Sequence, residues 1–87
     1  MTLRLKAGVS TARVDGETVL LDPVSGAYYG LDPIGSRMLD LMLTGNGPVD
    51  VGAVLSREYA AAADDIARDA EALAASLVKA GLAETSA

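Results

Sequence analysis

Two tight-turn signals stand close together early in this chain, and between them they leave few folds open. Asp15-Gly16 separates the alternating run Thr11-Ala12-Arg13-Val14 from Thr18-Val19-Leu20-Leu21. A two-residue hairpin turn needs positive φ at its centre, which Asp and Gly tolerate. The second signal is Asp22-Pro23-Val24-Ser25-Gly26. Proline presets φ and removes a ladder donor there, and glycine supplies the left-handed position. Ala27-Tyr28-Tyr29-Gly30-Leu31 follows as a further strand. The segment from Val9 to Leu31 therefore reads as a three-stranded antiparallel meander. Leu3 to Lys6 either extends the first strand or pairs elsewhere.

The hydrophobic period becomes helical from Asp32. Asp32 suits an N-cap, and Pro33 fits the first helical position, where a missing N–H is no loss. Ile34, Met38, Leu41 and Met42 keep helical spacing to about Thr44, and Gly45-Asn46-Gly47-Pro48 ends the run. Asp50 reads as the cap of a second helix, with Val51, Val54, Leu55 and Tyr59 on one face. Ala60 to Ala63 is ambiguous. Asp64 and Asp65 mark a new start favoured by the helix dipole. Ile66, Ala70, Leu73 and Leu77 form an apolar stripe, Lys79 sits in the last turn, and Gly81 is a natural stop. Glu84 to Ala87 reads as a frayed tail. Strands followed by helices argue for an α+β domain, with helices covering one face of the sheet. The strand at the margin, the third, is then left with an unpaired edge.

Composition narrows function. The chain has 87 residues, room for a single domain over 1–87. It has no Cys and no His, which removes disulfides, thiolate or imidazole metal sites, and Cys or His catalysis. A net charge of −5 disfavours nucleic acid, because phosphate contacts need clustered Lys and Arg. The opening MTLRLKAG has no long apolar run, and no stretch approaches the ~20 apolar residues of a membrane span. The expectation is a cytoplasmic acidic binder with no membrane partner.

No motif for catalysis stands out. Asp65 and Asp69 lie one turn apart, but such a pair is usually a solvated acidic face. Gly26, Gly30 and Gly35 do not make a phosphate loop, and Ser36 is in no nucleophile elbow. No Ser stands in the Asp-Ser-Leu attachment motif of an acyl carrier protein. The chain is therefore expected not to be an enzyme, with no catalytic residue, no cofactor and no metal.

The run from Leu20 to Leu39 is the most distinctive part of the chain. Gly26 ends a hairpin turn, Tyr29-Gly30-Leu31-Asp32 follows, then Gly35, then an apolar helix containing Met38-Leu39 and closed by Gly45. Leu77-Val78-Lys79-Ala80-Gly81-Leu82 closes the pattern. In order and spacing this resembles the PqqD-like family, the small peptide chaperones of ribosomal peptide natural-product pathways. Asp32 stands where the family commonly has Asn, and Met38-Leu39 where it often has Ile-Trp. The resemblance implies a winged helix-turn-helix-like RiPP recognition element. In that family a precursor's leader peptide adds as a strand to the third strand, and its side chains enter the cleft beside the third helix. The free-standing length looks most like the leader-binding protein of lasso-peptide biosynthesis, which presents the precursor to a separate leader peptidase; in other branches of the family the partner is another modifying enzyme, a radical-SAM enzyme.

Alternation puts Ala27, Tyr29 and Leu31 on one face of the third strand, and Tyr28 and Gly30 on the other. The family motif points Tyr29 and Leu31 inward and leaves Tyr28 exposed. Both inward residues also suit a plain core. On the third helix, Leu73 belongs to the core stripe, and Asp69, Ala72 and Ser76 lie on a small, acidic flank suited to a peptide backbone and a basic leader residue. The expected peptide-binding residues are thus Ala27, Tyr28, Tyr29, Gly30, Leu31, Asp69, Ala72, Leu73 and Ser76. A winged-helix DNA-binding regulator is the alternative from another class. It would need a basic recognition helix, whereas the third helix has Arg68 and Lys79 against Asp64, Asp65, Asp69 and Glu71.

Overall fold

A computed structural model describes residues 2–86. The elements run β1 (Thr2–Leu5), β2 (Ser10–Val14), β3 (Glu17–Leu21), β4 (Tyr28–Leu31), α1 (Pro33–Leu43), α2 (Pro48–Leu55), α3 (Ala63–Lys79) and β5 (Ala83–Ser86). The expected meander is present as a three-stranded antiparallel sheet in the order β2-β3-β4. Three helices follow it, as expected of a winged helix-turn-helix-like α+β fold.

Both turns work as their residues dictate. Asp15 and Gly16 take φ of 52° and 80°, so Thr18 pairs with Arg13 and Leu20 with Thr11. At the second turn, Asp22 Oδ1 accepts from the Val24 N–H at 2.9 Å, and the Asp22 carbonyl accepts from the Gly26 N–H at 2.8 Å. Gly26 sits at φ 79°. These bonds return the chain as β4, with Tyr29 opposite Leu20 and Leu31 opposite Thr18. The Val24 amide holds the Asp22 carboxyl below its ordinary value, against a smaller opposing effect of desolvation.

Helix α1 begins one residue after β4. Asp32 caps it by accepting from the Gly35 N–H at 2.7 Å, and Pro33 occupies its first turn. The helix ends in a reciprocal pair of bonds, Gly45 N–H to the Met42 carbonyl and Asn46 N–H to the Leu41 carbonyl. Helix α3 ends the same way, with Gly81 N–H on Val78 and Leu82 N–H on Leu77. Leu20, Leu39, Met42, Val51, Leu55 and Leu77 fill the core between sheet and helices. Within it, Thr18 donates to Ser36 at 2.7 Å, a buried polar link between β3 and α1.

Three expectations are corrected. The tail does not fray over its described length: β5 pairs antiparallel with β1, Leu3 opposite Thr85 and Leu5 opposite Ala83. That pairing also settles Leu3 to Lys6, which forms a separate two-stranded sheet rather than extending β2. Burial of Leu3, Leu82 and Ala83 drives it, and Arg4 meets Glu84 at 2.9 Å. Ala87 lies outside the described residues. The second correction is the start of α2. Gly47 is the N-cap and Pro48 opens the first turn, leaving Asp50 inside that turn. The third is that α2 stops at Leu55, so Tyr59 lies beyond it.

Three predictions follow from this packing. A Cβ at Gly52 would collide with the Ala63 carbonyl, where α2 crosses α3. Gly52→Ala is expected to cost ~1–3 kcal/mol in urea unfolding, whereas Gly30→Ala, whose added carbon meets open space, is expected to stay within about 0.5 kcal/mol. Thr18→Val strands the Ser36 hydroxyl and is expected to cost ~1–3 kcal/mol, much of it recovered by adding Ser36→Ala. Lastly, because its folded pKa is lowered, Asp22 contributes stability that is full above the ordinary carboxyl range and lost as pH falls through the folded value. Acid titration followed by NMR should therefore shift the Val24 amide only once the pH falls below the ordinary carboxylate range. Asp22→Asn keeps the acceptor and should remove that dependence.

Candidate functional site

The order β2-β3-β4 gives the main sheet two outer edges, and the helices make them unlike. Beside β2, Arg13 reaches over to α1 and grips Asp40 with both terminal nitrogens, at 2.8 and 3.0 Å. That hydrogen-bonded pair holds the guanidinium pKa above its usual value. The pair bridges β2 and α1 on the inner face of the sheet. Beside β4 there is no such bridge among the described residues.

The backbone of β4 has a definite phase. Asp22 N–H donates to the Ala27 carbonyl at 2.9 Å. Alternation along an antiparallel ladder then turns the backbone groups of Ala27, Tyr29 and Leu31 towards β3. Those of Tyr28 and Gly30 point to the open side. Neither a charge nor a proline blunts this edge.

Side chains follow the opposite logic. Leu31 is buried at 6% exposure and Tyr29 is half-buried, so both face the helices, while Tyr28 is 72% exposed on the far face of the sheet. Below the open edge lies a groove of about 420 Å³. Tyr29, Gly30 and Leu31 form its strand wall. Asp32, Ile34, Gly35 and Met38 form the corner where β4 turns into α1. Asp69 and Leu73 of α3 form the facing wall. An unpaired strand edge thus stands over an apolar floor rimmed by two carboxylates.

Five of the residues expected from the sequence converge here: Tyr29, Gly30, Leu31, Asp69 and Leu73. Tyr28 shares the open edge through its backbone but turns its ring away. Ala27 precedes β4 and packs against the core, and Ala72 and Ser76 do not line the groove. The sequence reading passed over Ile34 and Met38 as site residues, because their helical spacing reads as core. Asp32 and Gly35 were read only as cap and motif glycine. The signal for all four was their distance from β4: a helix that starts one residue after a strand must lay its first turns beside that strand's end.

A second crevice, of about 370 Å³, lies behind α3 against β5, walled by Ala74, Ala75, Val78 and Thr85, with Glu71 and Lys79 at its margin. Neither β4 nor α1 reaches it. Among the described residues no group of three or more Asp or Glu is placed to hold a metal ion, and no helix is long and apolar enough to cross a membrane.

The family model for coenzyme PQQ synthesis protein D (PqqD) matches residues 17–83. No curated protein sequence matches the chain. Among solved structures, it is similar to a lasso peptide synthetase B1 complexed with the leader peptide, at 35% identity and a TM-score of 0.88, over 98% of this chain and 100% of the other. It is also similar to TbiB1 in complex with the TbiA(beta) leader peptide, at 31% identity and a TM-score of 0.81, over 100% of this chain and 99% of the other. The match begins at β3 and runs through β4, the α1 corner and α3, the parts that build the open edge and its groove: this chain belongs to the PqqD family.

Proposed function

We propose that residues 1–87 act as one cytoplasmic, non-catalytic peptide-binding domain, a RiPP recognition element of lasso-peptide biosynthesis. It binds the leader segment of a ribosomally made precursor by strand addition to β4 and presents it to a separate leader peptidase. The observation that carries this reading is the unpaired, uncharged edge of β4 standing over a groove of apolar and acidic side chains. Relatives 35% and 31% identical, covering essentially the whole chain, were each solved with a leader peptide bound.

The energetics require edge and groove together. Tyr28 and Gly30 offer two donors and two acceptors, worth about 0.5–1.5 kcal/mol each in net terms. Ordering a flexible peptide costs ~2–5 kcal/mol. Backbone pairing alone nearly cancels, so micromolar affinity, about −8 kcal/mol, needs apolar side chains of the leader in the groove. Tyr29, Leu31, Ile34, Met38 and Leu73 supply that contact.

The phase of the edge sets the test. Tyr28→Pro removes a donor that points outwards, and Gly30→Pro does the same, whereas a proline at Tyr29 would remove a donor used inside the sheet. In calorimetric titration with the synthetic leader, Tyr28→Pro is expected to weaken binding about tenfold or more, with a wild-type circular dichroism spectrum. Leu73→Glu, which puts a charge in the groove wall, is expected to abolish binding. Unchanged affinity in the folded proline variants would exclude strand addition at β4. Absence of leader binding by the wild-type chain would exclude the adaptor reading itself.

A further inference from the structure

Among the described residues, the only charged side chains lining the groove are carboxylates, Asp32 and Asp69. One oxygen of Asp32 is engaged by the Gly35 N–H. Asp69 has no hydrogen-bond or ion-pair partner among the described residues, although its neighbour Asp65 is held by Arg68 at 2.7 Å. Two arginines on other faces are already paired, Arg37 with Glu58 at 2.7 Å and Arg13, at the opposite edge of the sheet, with Asp40 at 2.8 Å. Among the described residues, no cation lines the groove. A bound peptide would therefore meet an apolar floor beneath a negative rim, on a chain whose net charge is −5.

Resting on the peptide-binding reading above, we infer that Asp69, supported by the field of Asp32, selects leader segments carrying a Lys or Arg at a defined spacing from the apolar anchor. The spacing comes from strand geometry. Successive side chains of a strand point to opposite faces. In a leader paired with β4, only alternate residues can therefore share the groove face with Tyr29 and Leu31. An anchor on the floor formed by Leu31, Met38 and Leu73 and a cation at Asp69 must then stand an even number of residues apart. A cation displaced by one position points to the far face, beside Tyr28 and Gly30, where no groove carboxylate reaches it. Leu73 and Asp69 lie one helical turn apart on α3, about 6 Å, close to the ~6.6–6.8 Å between alternate residues of a strand. A spacing of two fits best.

An exposed or partly covered ion pair is a modest attraction. The expected signature is therefore selectivity of roughly two- to fivefold rather than loss of binding. Salt should erode it, since the Debye length is about 10 Å at 0.1 M and about 3 Å at 1 M.

The test uses the full chain and synthetic leader peptides titrated by calorimetry at low and high salt. One peptide is the leader itself. In the others, each Lys or Arg of the bound segment is changed singly to Gln, or moved by one residue. The expected result is that one substitution, two residues from an apolar anchor, weakens binding two- to fivefold at low salt and much less at 1 M. Moving that cation by one residue should weaken binding equally. Asp69→Asn should remove the difference between the Lys and Gln peptides. Equal affinity of every peptide for the wild-type chain overturns the inference and leaves leader binding intact. A cation effect that persists in Asp69→Asn also overturns it. If the unaltered leader does not bind at all, the peptide-binding reading fails first, and the two failures are distinct.

Discussion

The corner at Leu31-Asp32-Pro33 is the constraint on which the rest of the structure depends. A single residue joins β4 to α1. Asp32 accepts the Gly35 N–H on its side chain at 2.7 Å and the Ser36 N–H on its carbonyl at 2.8 Å, while Pro33 fixes the first helical φ. Gly35 is held beneath this cap, since a Cβ there would lie 3.1 Å from the Asp32 carboxylate and crowd Leu31. With so short a link, the direction of β4 dictates where α1 starts. The Thr18–Ser36 hydrogen bond then ties that first turn to β3. Ile34 and Met38 follow as a floor under the strand edge, and α3 packs on to complete the groove. The cap thus does two things at once: it starts a helix and it places a binding surface.

Local signals in the sequence carried most of this. The turn at Asp15-Gly16, the turn closed by Gly26, the Asp32 cap and the Gly45 and Gly81 stops are short-range chemistry and stand where the residues put them. What the sequence hid was long-range or ambiguous. The β1–β5 pair joins opposite ends of the chain, and Ala83-Glu84-Thr85-Ser86 has too few apolar residues to announce a strand. Its pairing depends on Leu3 and Ala83 covering a core that only the folded chain has. Pro48 was legible as a stop for α1 and is equally the first-turn proline of α2. A proline between two helices serves both roles, and local chemistry alone does not show that Asp50 is one turn too late to be the cap.

The site shows the same division. Alternation along β4 puts Tyr29 and Leu31 on one face and Tyr28 on the other; the family resemblance turns the first pair inward, and the structure has them so. The α3 wall was only half legible, for a geometric reason. At about 100° per residue, Asp69 and Leu73 project close together beside the core stripe, while Ala72 is rotated some 60° further towards solvent. Ser76 projects almost along Asp69 but about 10 Å further down the axis, past the end of the groove. Helical period ranks residues by angle. It does not say how far along the helix a short strand extends, and β4 has only four residues.

An open strand edge is a hazard unless something restricts what can pair with it. Here the two edges of the same sheet are treated differently. At β2 the Arg13–Asp40 pair occupies the inner side, so a strand arriving there would have to bury its inward side chains against an ion pair. At β4 the inner side has apolar residues edged by Asp32 and Asp69 and no ion pair among the described residues, so the edge favours a strand whose alternate side chains fill it. The turn at Asp22 and the cap at Asp32 hold both ends of β4 before any ligand arrives. The protein's share of the ordering cost is then already met in its own folding, and the entropy lost on binding falls chiefly on the incoming peptide. That division suits so small a chain: its few buried residues go to fixing one short strand, and under the proposed strand addition an incoming peptide would extend the sheet.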